Sequence, residues 1–197
     1  MSVPEACWRA LEEVVGPERV LRDEAELACY SFDFFPGERW RPEAAVVVTE
    51  RAQVPLVLRI AAEHRLPVTP RGSGTGVTGG AVPRRGGLVL DLSALRRVLE
   101  VDPEEMLARV EPGVIWEELN ECLRPHGLWY PSTPGSLRAS TVGGSVATGG
   151  SGMRAIKYGT TRHNVLQLLV ALAGGEVVRL GSRAPKTSCG YDLKDLF

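Results

Sequence analysis

Residues 67–83 read PVTPRGSGTGVTGGAVP, and the six residues from Arg71 to Gly76 contain three glycines. Glycine adopts positive φ angles readily and lets backbone N–H groups approach a ligand with no Cβ in the way. Successive exposed N–H groups form a concavity that binds anions. A second glycine-rich run, TVGGSVATGGSG, covers residues 141–152. Two such loops in one small domain predict a phosphate-bearing cofactor held between two halves of the fold.

The first run matches a dinucleotide-binding pattern only formally. Residues 74–79, GTGVTG, satisfy GxGxxG, but that motif requires a helix to open within it. Here GAVPRRGG follows at residues 80–87, a sequence that cannot propagate a helix. No Gly-Lys-Ser/Thr follows either, so a Walker A loop is excluded.

Two interpretations of the first run remain. It either forms tight turns only, or wraps a pyrophosphate with its N–H groups and the hydroxyls of Ser73 and Thr75; the second is favoured because dense glycine is costly in chain entropy. Arg71 either fixes the loop by pairing with a carbonyl or carboxylate, or is a surface arginine. The small side chains of the second run suit a flat ring lying against the backbone.

The composition is that of a globular protein. The 197 residues are 44% hydrophobic and 24% charged, with a net charge of −1, so nucleic acid is not an expected partner. Residues 165–173 form an apolar stretch too short to span a bilayer, and the N-terminus lacks signal-peptide features, so a cytoplasmic location is expected. The cysteines and histidines have no metal-ligand spacing, so no metal is expected and the cysteines are predicted to be reduced and partly buried.

Hydrophobic periodicity predicts a mixture of helices and strands. Helices are expected over residues 4–15, 23–29, 53–64 and 116–125. Strands are expected over residues 44–48, 66–69 and 88–92, with two hairpins formed by residues 98–101 with 107–110 and by 165–173 with 176–180. Residues 1–40 are predicted to be an N-terminal helix and connecting segment, and residues 41–197 one domain with subdomains of about 41–105 and 106–197.

Several motifs, in order, resemble one flavoprotein family. They are PVTPRGSGTGVTGG at 67–80, EPGV at 111–114, STVGGSVAT at 140–148, KYGTTRHNVL at 157–166 and GYDLKDLF at 190–197. From about residue 30 onward the chain is similar to the FAD-binding domain of the vanillyl-alcohol oxidase/PCMH superfamily, in particular its glycolate oxidase and D-lactate dehydrogenase branch. The resemblance implies an α+β fold, a PCMH-type domain of two α/β subdomains with FAD between them.

The resemblance also implies which residues contact FAD. Its pyrophosphate would be cradled by Pro70, Arg71, Gly72, Ser73, Gly74, Thr75, Gly76 and Gly79. Its ribityl and isoalloxazine side would be lined by Pro134, Ser136, Thr141, Gly143, Gly144, Ala147, Thr148, Gly150 and Ser151. Tyr158 and Gly159 would support that wall, and Val178 would lie near the adenine. Some relatives attach FAD through a histidine of the first loop; here Ser73 and Thr75 occupy that region, so noncovalent binding is expected.

The implied activity is oxidation of a small 2-hydroxy acid such as glycolate or D-lactate. The family's enzymes continue past the GYDLKDLF segment into a substrate-binding cap, which contributes the catalytic base and the cation for the substrate carboxylate. No catalytic residue is therefore assigned. The alternative is a catalytically incomplete FAD-carrying subunit acting with other oxidase subunits, since an exposed sheet edge favours pairing. A third, disfavoured possibility is the related NADPH-dependent nucleotide-sugar reductase.

Overall fold

The computed structural model describes residues 3–197 except Glu38, Thr133, Thr187 and Cys189. The helices are α1 (Glu5–Val15), α2 (Glu24–Ala28), α3 (Gln53–Glu63), α4 (Trp116–Leu123), α5 (Val142–Ala147), α6 (Ala155–Tyr158) and α7 (Thr161–Asn164). The strands are β1 (Val20–Leu21), β2 (Ala44–Val47), β3 (Val68–Arg71), β4 (Leu88–Asp91), β5 (Val98–Asp102), β6 (Leu107–Val110), β7 (Gln167–Ala171) and β8 (Val177–Gly181). Short 3₁₀ turns lie at Pro17–Arg19, Arg124–His126 and Leu193–Leu196.

The first half of the chain is built on a four-stranded sheet in the order β1-β2-β4-β3. Strands β2, β4 and β3 are parallel, and β1 pairs antiparallel with β2. The apolar runs of β2 and β4 are buried on both faces, as expected of central parallel strands. Strand β3 lies at the edge, where Pro70, which has no N–H, is tolerated. The main core joins this sheet to the apolar faces of α1 and α3.

A second core surrounds α4. The buried residues Val114, Trp116, Leu119 and Leu123 pack against apolar side chains of β5 and β6, which form an antiparallel hairpin. The change from the first core to the second falls between Leu95, which belongs to the first, and Val98, which packs against the second. The predicted subdomain boundary near residues 105–106 stays a prediction, and this packing favours a position several residues earlier.

Most of the elements expected from the periodicity are present, with shifted ends. The predicted strand over residues 66–69 is observed at Val68–Arg71, and the one over 165–173 is shorter, at Gln167–Ala171, pairing with β8 as a hairpin. The short strand β1 was not predicted.

Two of the described cysteines are more exposed than the sequence predicted. Cys7 is buried, but Cys29 and Cys122 are exposed, so the prediction that all four cysteines are partly buried is wrong. These three cysteines are free, and Cys189 lies outside the described residues.

Among the described residues, the helices are all too short or too polar to cross a bilayer.

Candidate cofactor site

The first glycine run, residues 72–81, begins directly after β3 and contains no helix, as predicted. Gly74 and Gly79 have φ angles of 68° and 75°, in the left-handed region that disfavours other residues. Within the described part of the chain, the backbone N–H groups from Gly72 to Ala81 donate to no protein acceptor. A row of unpaired amides on a loop turned by left-handed glycines is suited to hold phosphate oxygens.

The side chain of Arg71 donates hydrogen bonds to three backbone carbonyls, one of them at the end of this loop. Its Nη1 donates to the carbonyl oxygens of Phe32, at 2.8 Å, and Ala81, at 3.3 Å. Its Nη2 donates to the carbonyl oxygen of Cys29 at 3.3 Å. A Cβ atom at Gly74 would overlap the guanidinium group. Pairing of Arg71 with backbone carbonyls is thus confirmed, and its alternative as a free surface arginine is wrong.

The second glycine run is not the open loop that its composition suggested. Residues Val142–Ala147 form α5, and Thr141 caps it by accepting a hydrogen bond from Gly144 N at 3.2 Å. The amides of Val142 and Gly143 donate to the carbonyls of Val114 and Pro112, both at 2.8 Å. Because its amides are largely used inside the protein, this run offers a surface of small side chains rather than a second N–H cradle. The prediction missed the helix because two adjacent glycines normally disfavour one.

Contacts at two glycines show what α5 and its cap lie against. A Cβ at Gly72 would overlap the Thr141 hydroxyl, so the start of the first run lies directly against the cap of α5. A Cβ at Gly143 would stand 2.9 Å from Pro112 Cα, so the absence of a side chain lets α5 approach the backbone of the EPGV segment (residues 111–114). The start of the first run and the cap of α5 are therefore in direct contact, and α5 itself rests on the EPGV segment.

The other residues predicted for the second run lie around α5. Leu137 N donates to Pro134 O and Ser140 N to Ser136 O, so a hydrogen-bonded turn precedes the helix. Thr148 Oγ1 donates to Gly144 O at 2.9 Å at the other end. Ala147 and Thr148 border a cavity of about 210 Å³ that Lys194 and Phe197 also line.

The remaining predicted residues are more dispersed. Gly150 O accepts a hydrogen bond from the buried Thr161 hydroxyl at 2.6 Å, while the neighbouring Ser151 is exposed. Tyr158 makes an edge-on contact with Trp129, with ring centroids 5.4 Å apart, and Gly159, at φ 78°, ends α6. Val178 lies in β8, opposite Val170.

Polar residues that the sequence did not single out also surround the first run. Tyr30 donates a hydrogen bond of 2.7 Å to Asp91 Oδ2 at the end of β4. Burial, followed by this hydrogen bond and the Asp91 charge, raises the pKa of Tyr30 well above its ordinary value. Asp33 is buried and its Oδ2 lies beside Gly76. The sequence around them holds a cluster of aromatic residues, Tyr30, Phe32, Phe34, Phe35 and Trp40. No local pattern predicts their role, because the contacts join residues about 40 to 60 positions apart.

Metal ligation has no support in the described residues, where no group of three or more histidine, cysteine, aspartate or glutamate side chains could hold an ion.

Comparison with solved structures agrees with the geometry. p-Cresol methylhydroxylase with substrate bound superimposes with a TM-score of 0.78 at 27% identity, covering 91% of this chain and 36% of that one. Alkyldihydroxyacetonephosphate synthase gives a TM-score of 0.86 at 22% identity, covering 99% of this chain and 37% of that one, which is evidence for the fold alone. The α+β, PCMH-type fold expected from the resemblance is confirmed.

Comparison with curated sequences points to the same family. The glycolate oxidase subunit GlcD of Bacillus subtilis (strain 168) is 40% identical over 187 residues, covering 95% of this chain and 40% of that protein. The D-lactate dehydrogenase of Anaerostipes hadrus is 42% identical over 190 residues, covering 92% of this chain and 38% of that protein. This chain thus spans about two fifths of the length of these relatives. The family model described as an FAD binding domain matches residues 42–181. The chain belongs to this FAD binding domain family, and its cofactor is FAD.

Proposed function

We propose that the first glycine run binds the FAD pyrophosphate and that α5 lies along the ribityl and isoalloxazine side. The observation that carries this assignment is the contrast between the two runs: the amides from Gly72 to Ala81 have no acceptor among the described residues, whereas those of α5 are largely bonded within the protein. Phosphate oxygens need donors, and a flavin ring needs a close, flat approach. Ser73 and Thr75 add hydroxyl donors to the first run. Val178 is proposed to lie toward the adenine.

We propose that the protein to which this domain belongs oxidises a small 2-hydroxy acid such as glycolate or D-lactate. The support is the identity of 40% and 42% to proteins named for glycolate and D-lactate oxidation. Bound FAD supplies the hydride acceptor for such a reaction. The residues of this chain hold and orient it, and with Ser73 and Thr75 in the first loop we propose that binding is noncovalent.

A second candidate is an FAD-carrying subunit that is incomplete by itself and works with partner chains. Two observations favour it: a relative is named as a subunit, and the β7–β8 hairpin exposes Leu169 and Val177 to 56% and 55%. Met153 and Ile156, near α6, are almost fully exposed as well. Apolar surface of this kind marks contacts with further protein. A cytoplasmic location stays a prediction.

The cofactor assignment is tested by titrating the protein with FAD and recording the flavin absorption bands. Gly74→Ala should weaken FAD binding at least about tenfold, because a Cβ at φ 68° is strained and would overlap Arg71. Gly127→Ala is the matched control: it places a Cβ at a similar φ of 70°, with no atom of the described residues within 4 Å and outside the first run, so affinity should stay unchanged. Equal affinities for both variants would reject the first run as the pyrophosphate site.

The activity is tested by dye reduction with glycolate, D-lactate and L-lactate, using the FAD-loaded chain. Reduction by glycolate or D-lactate without any partner chain would reject the incomplete-subunit alternative. Reduction only after addition of partner chains would support it. No reduction by the FAD-loaded full-length protein to which this domain belongs, with or without partner chains, would reject the 2-hydroxy acid assignment and leave the cofactor site standing.

A further inference from the structure

The segment of residues 29–35 lies across the first glycine run and is bonded to it at several points. Arg71, at the end of β3, donates to the carbonyl oxygens of Cys29 and Phe32. In the opposite direction, Phe34 N donates to Gly76 O at 3.1 Å. These bonds join the segment to both the base and the middle of the glycine run.

Side chains reinforce this attachment. Tyr30 is anchored to Asp91 at 2.7 Å, and the Arg71 guanidinium lies 5.7 Å from the centre of the Tyr30 ring. Phe35 lies 3.4 Å from where a Cβ of Gly79 would stand. The segment thus follows the loop from Arg71 to Gly79, over the same residues whose amides have no acceptor in the described part of the chain.

Asp33 gives an independent reason to connect this segment with function. It is 8% exposed, its Oδ1 accepts a hydrogen bond from Phe35 N at 2.8 Å, and its Oδ2 has no partner among the described residues. Buried polar atoms without partners are uncommon, and each one calls for a specific explanation. Here Oδ1 fixes the turn that presents Phe34 N to Gly76 O, and Oδ2 lies beside Gly76 in the middle of the first run.

We propose that residues 29–35, which precede the matched family domain, are part of the cofactor site and hold the first glycine run in its phosphate-binding shape, with Arg71 as the positioning residue. The inference rests on the proposed assignment of this run to the FAD pyrophosphate. The guanidinium reaches three carbonyls, two in the segment and one at Ala81, so it joins the segment to both ends of the loop. With its donors directed at these carbonyls, Arg71 acts through the loop rather than as a phosphate ligand.

The test compares Arg71→Lys with Arg41→Lys in the full chain. Lysine keeps the charge but has no planar fork, so it cannot reach three carbonyls at once. Arg41 pairs with Glu24 on the surface of the same N-terminal region, and both side chains are largely exposed. Arg71→Lys should weaken FAD binding about tenfold or more, the loss expected for one or two charged hydrogen bonds, and Arg41→Lys should leave it unchanged.

Riboflavin, which lacks the pyrophosphate, separates a positioning role from a merely structural one. If Arg71 shapes the phosphate loop, Arg71→Lys weakens FAD binding but leaves riboflavin binding unchanged. An equal loss for both ligands would overturn the proposal, and so would no loss for FAD.

Hydrogen exchange of the cofactor-free protein provides a readout that needs no ligand. Arg71→Lys should accelerate amide exchange in residues 29–35, where the amides of Phe34 and Phe35 are hydrogen-bonded, while leaving α1 unchanged. Unaltered exchange in this segment would overturn the inference even if FAD binding falls. If the unmodified chain fails to bind FAD, the proposed site fails, and the exchange comparison still decides whether the segment shapes the loop.

Discussion

Glu111 provides the most direct test of how the two halves of the domain are joined. Its side chain is 1% exposed and accepts hydrogen bonds from Arg97 through the backbone N at 2.9 Å, Nε at 3.1 Å and Nη2 at 2.9 Å. Arg51, which precedes α3, lies 3.6 Å away. Glu111 also begins the EPGV segment on which α5 rests. Replacing it with glutamine removes the charge and keeps the shape.

The cost of Glu111→Gln follows from the donors that surround it. One oxygen becomes an NH₂ group, which must face either the backbone N–H or the guanidinium of Arg97. At least one charge-assisted hydrogen bond is lost, and two donors are brought together. The Arg97 side chain is half exposed and can turn toward water, which limits the cost of leaving its donors unpaired. We therefore expect a loss of about 2 to 3 kcal/mol in the free energy of unfolding. For a chain of this size the melting temperature should fall by about 4 to 12 °C.

The effect should depend on pH. Burial alone would raise the pKa of Glu111, but the hydrogen bonds from Arg97 and the charges of Arg97 and Arg51 outweigh it and lower the pKa below its ordinary value. A carboxylate whose pKa is lowered by folding adds to the free energy of unfolding. This contribution is fully present above the unfolded-state pKa of about 4.3 and is lost as the pH falls through the folded-state pKa. The difference between wild type and Glu111→Gln should therefore be full at neutral pH and shrink in acid.

The assay is urea unfolding followed by tryptophan fluorescence, at neutral and acidic pH. Glu50→Gln is the matched control, because Glu50 pairs with the same arginine at 3.0 Å but is 61% exposed. It should cost no more than about 1 kcal/mol, as surface ion pairs do. Equal losses for the two variants, or a Glu111 effect that does not change with pH, would refute the reasoning.

Two further substitutions test the contacts around α5. Gly72→Ala should destabilise the protein by about 1 to 3 kcal/mol and weaken FAD binding, because the new Cβ would overlap the Thr141 hydroxyl. Gly135→Ala, whose Cβ meets no atom of the described residues within 4 Å, should leave the stability unchanged, and thermal melts distinguish the two variants. Trp116→Phe should cost about 2 kcal/mol in urea unfolding, since it removes the buried 2.8 Å hydrogen bond from Nε1 to Ser145 Oγ and leaves that hydroxyl unpaired. A loss below about 0.5 kcal/mol would show that the site relaxes without penalty.

Much of the fold could be predicted from local sequence. The apolar runs at residues 44–48 and 88–92 identify central strands, and the continuation GAVPRRGG excludes a helix after the first glycine run, as the structure confirms. The second run shows the limit of such reasoning. Its adjacent glycines argue against a helix, yet α5 forms because the Thr141 cap and the carbonyls of Pro112 and Val114 bond its first amides.

The sequence by itself determined the family, the class of cofactor and the absence of a helix from the first glycine run, because motif order and glycine and proline content are properties of neighbouring residues. Only the tertiary structure decided which arginine donors face which carbonyls, and that residues 29–35 cover the first run. It also decided that Gly72 meets Thr141. Apart from the bond between Arg71 and Ala81, those contacts join residues 39 to 69 positions apart, and the packing of sheet, helix and loop rather than any local pattern determines their partners.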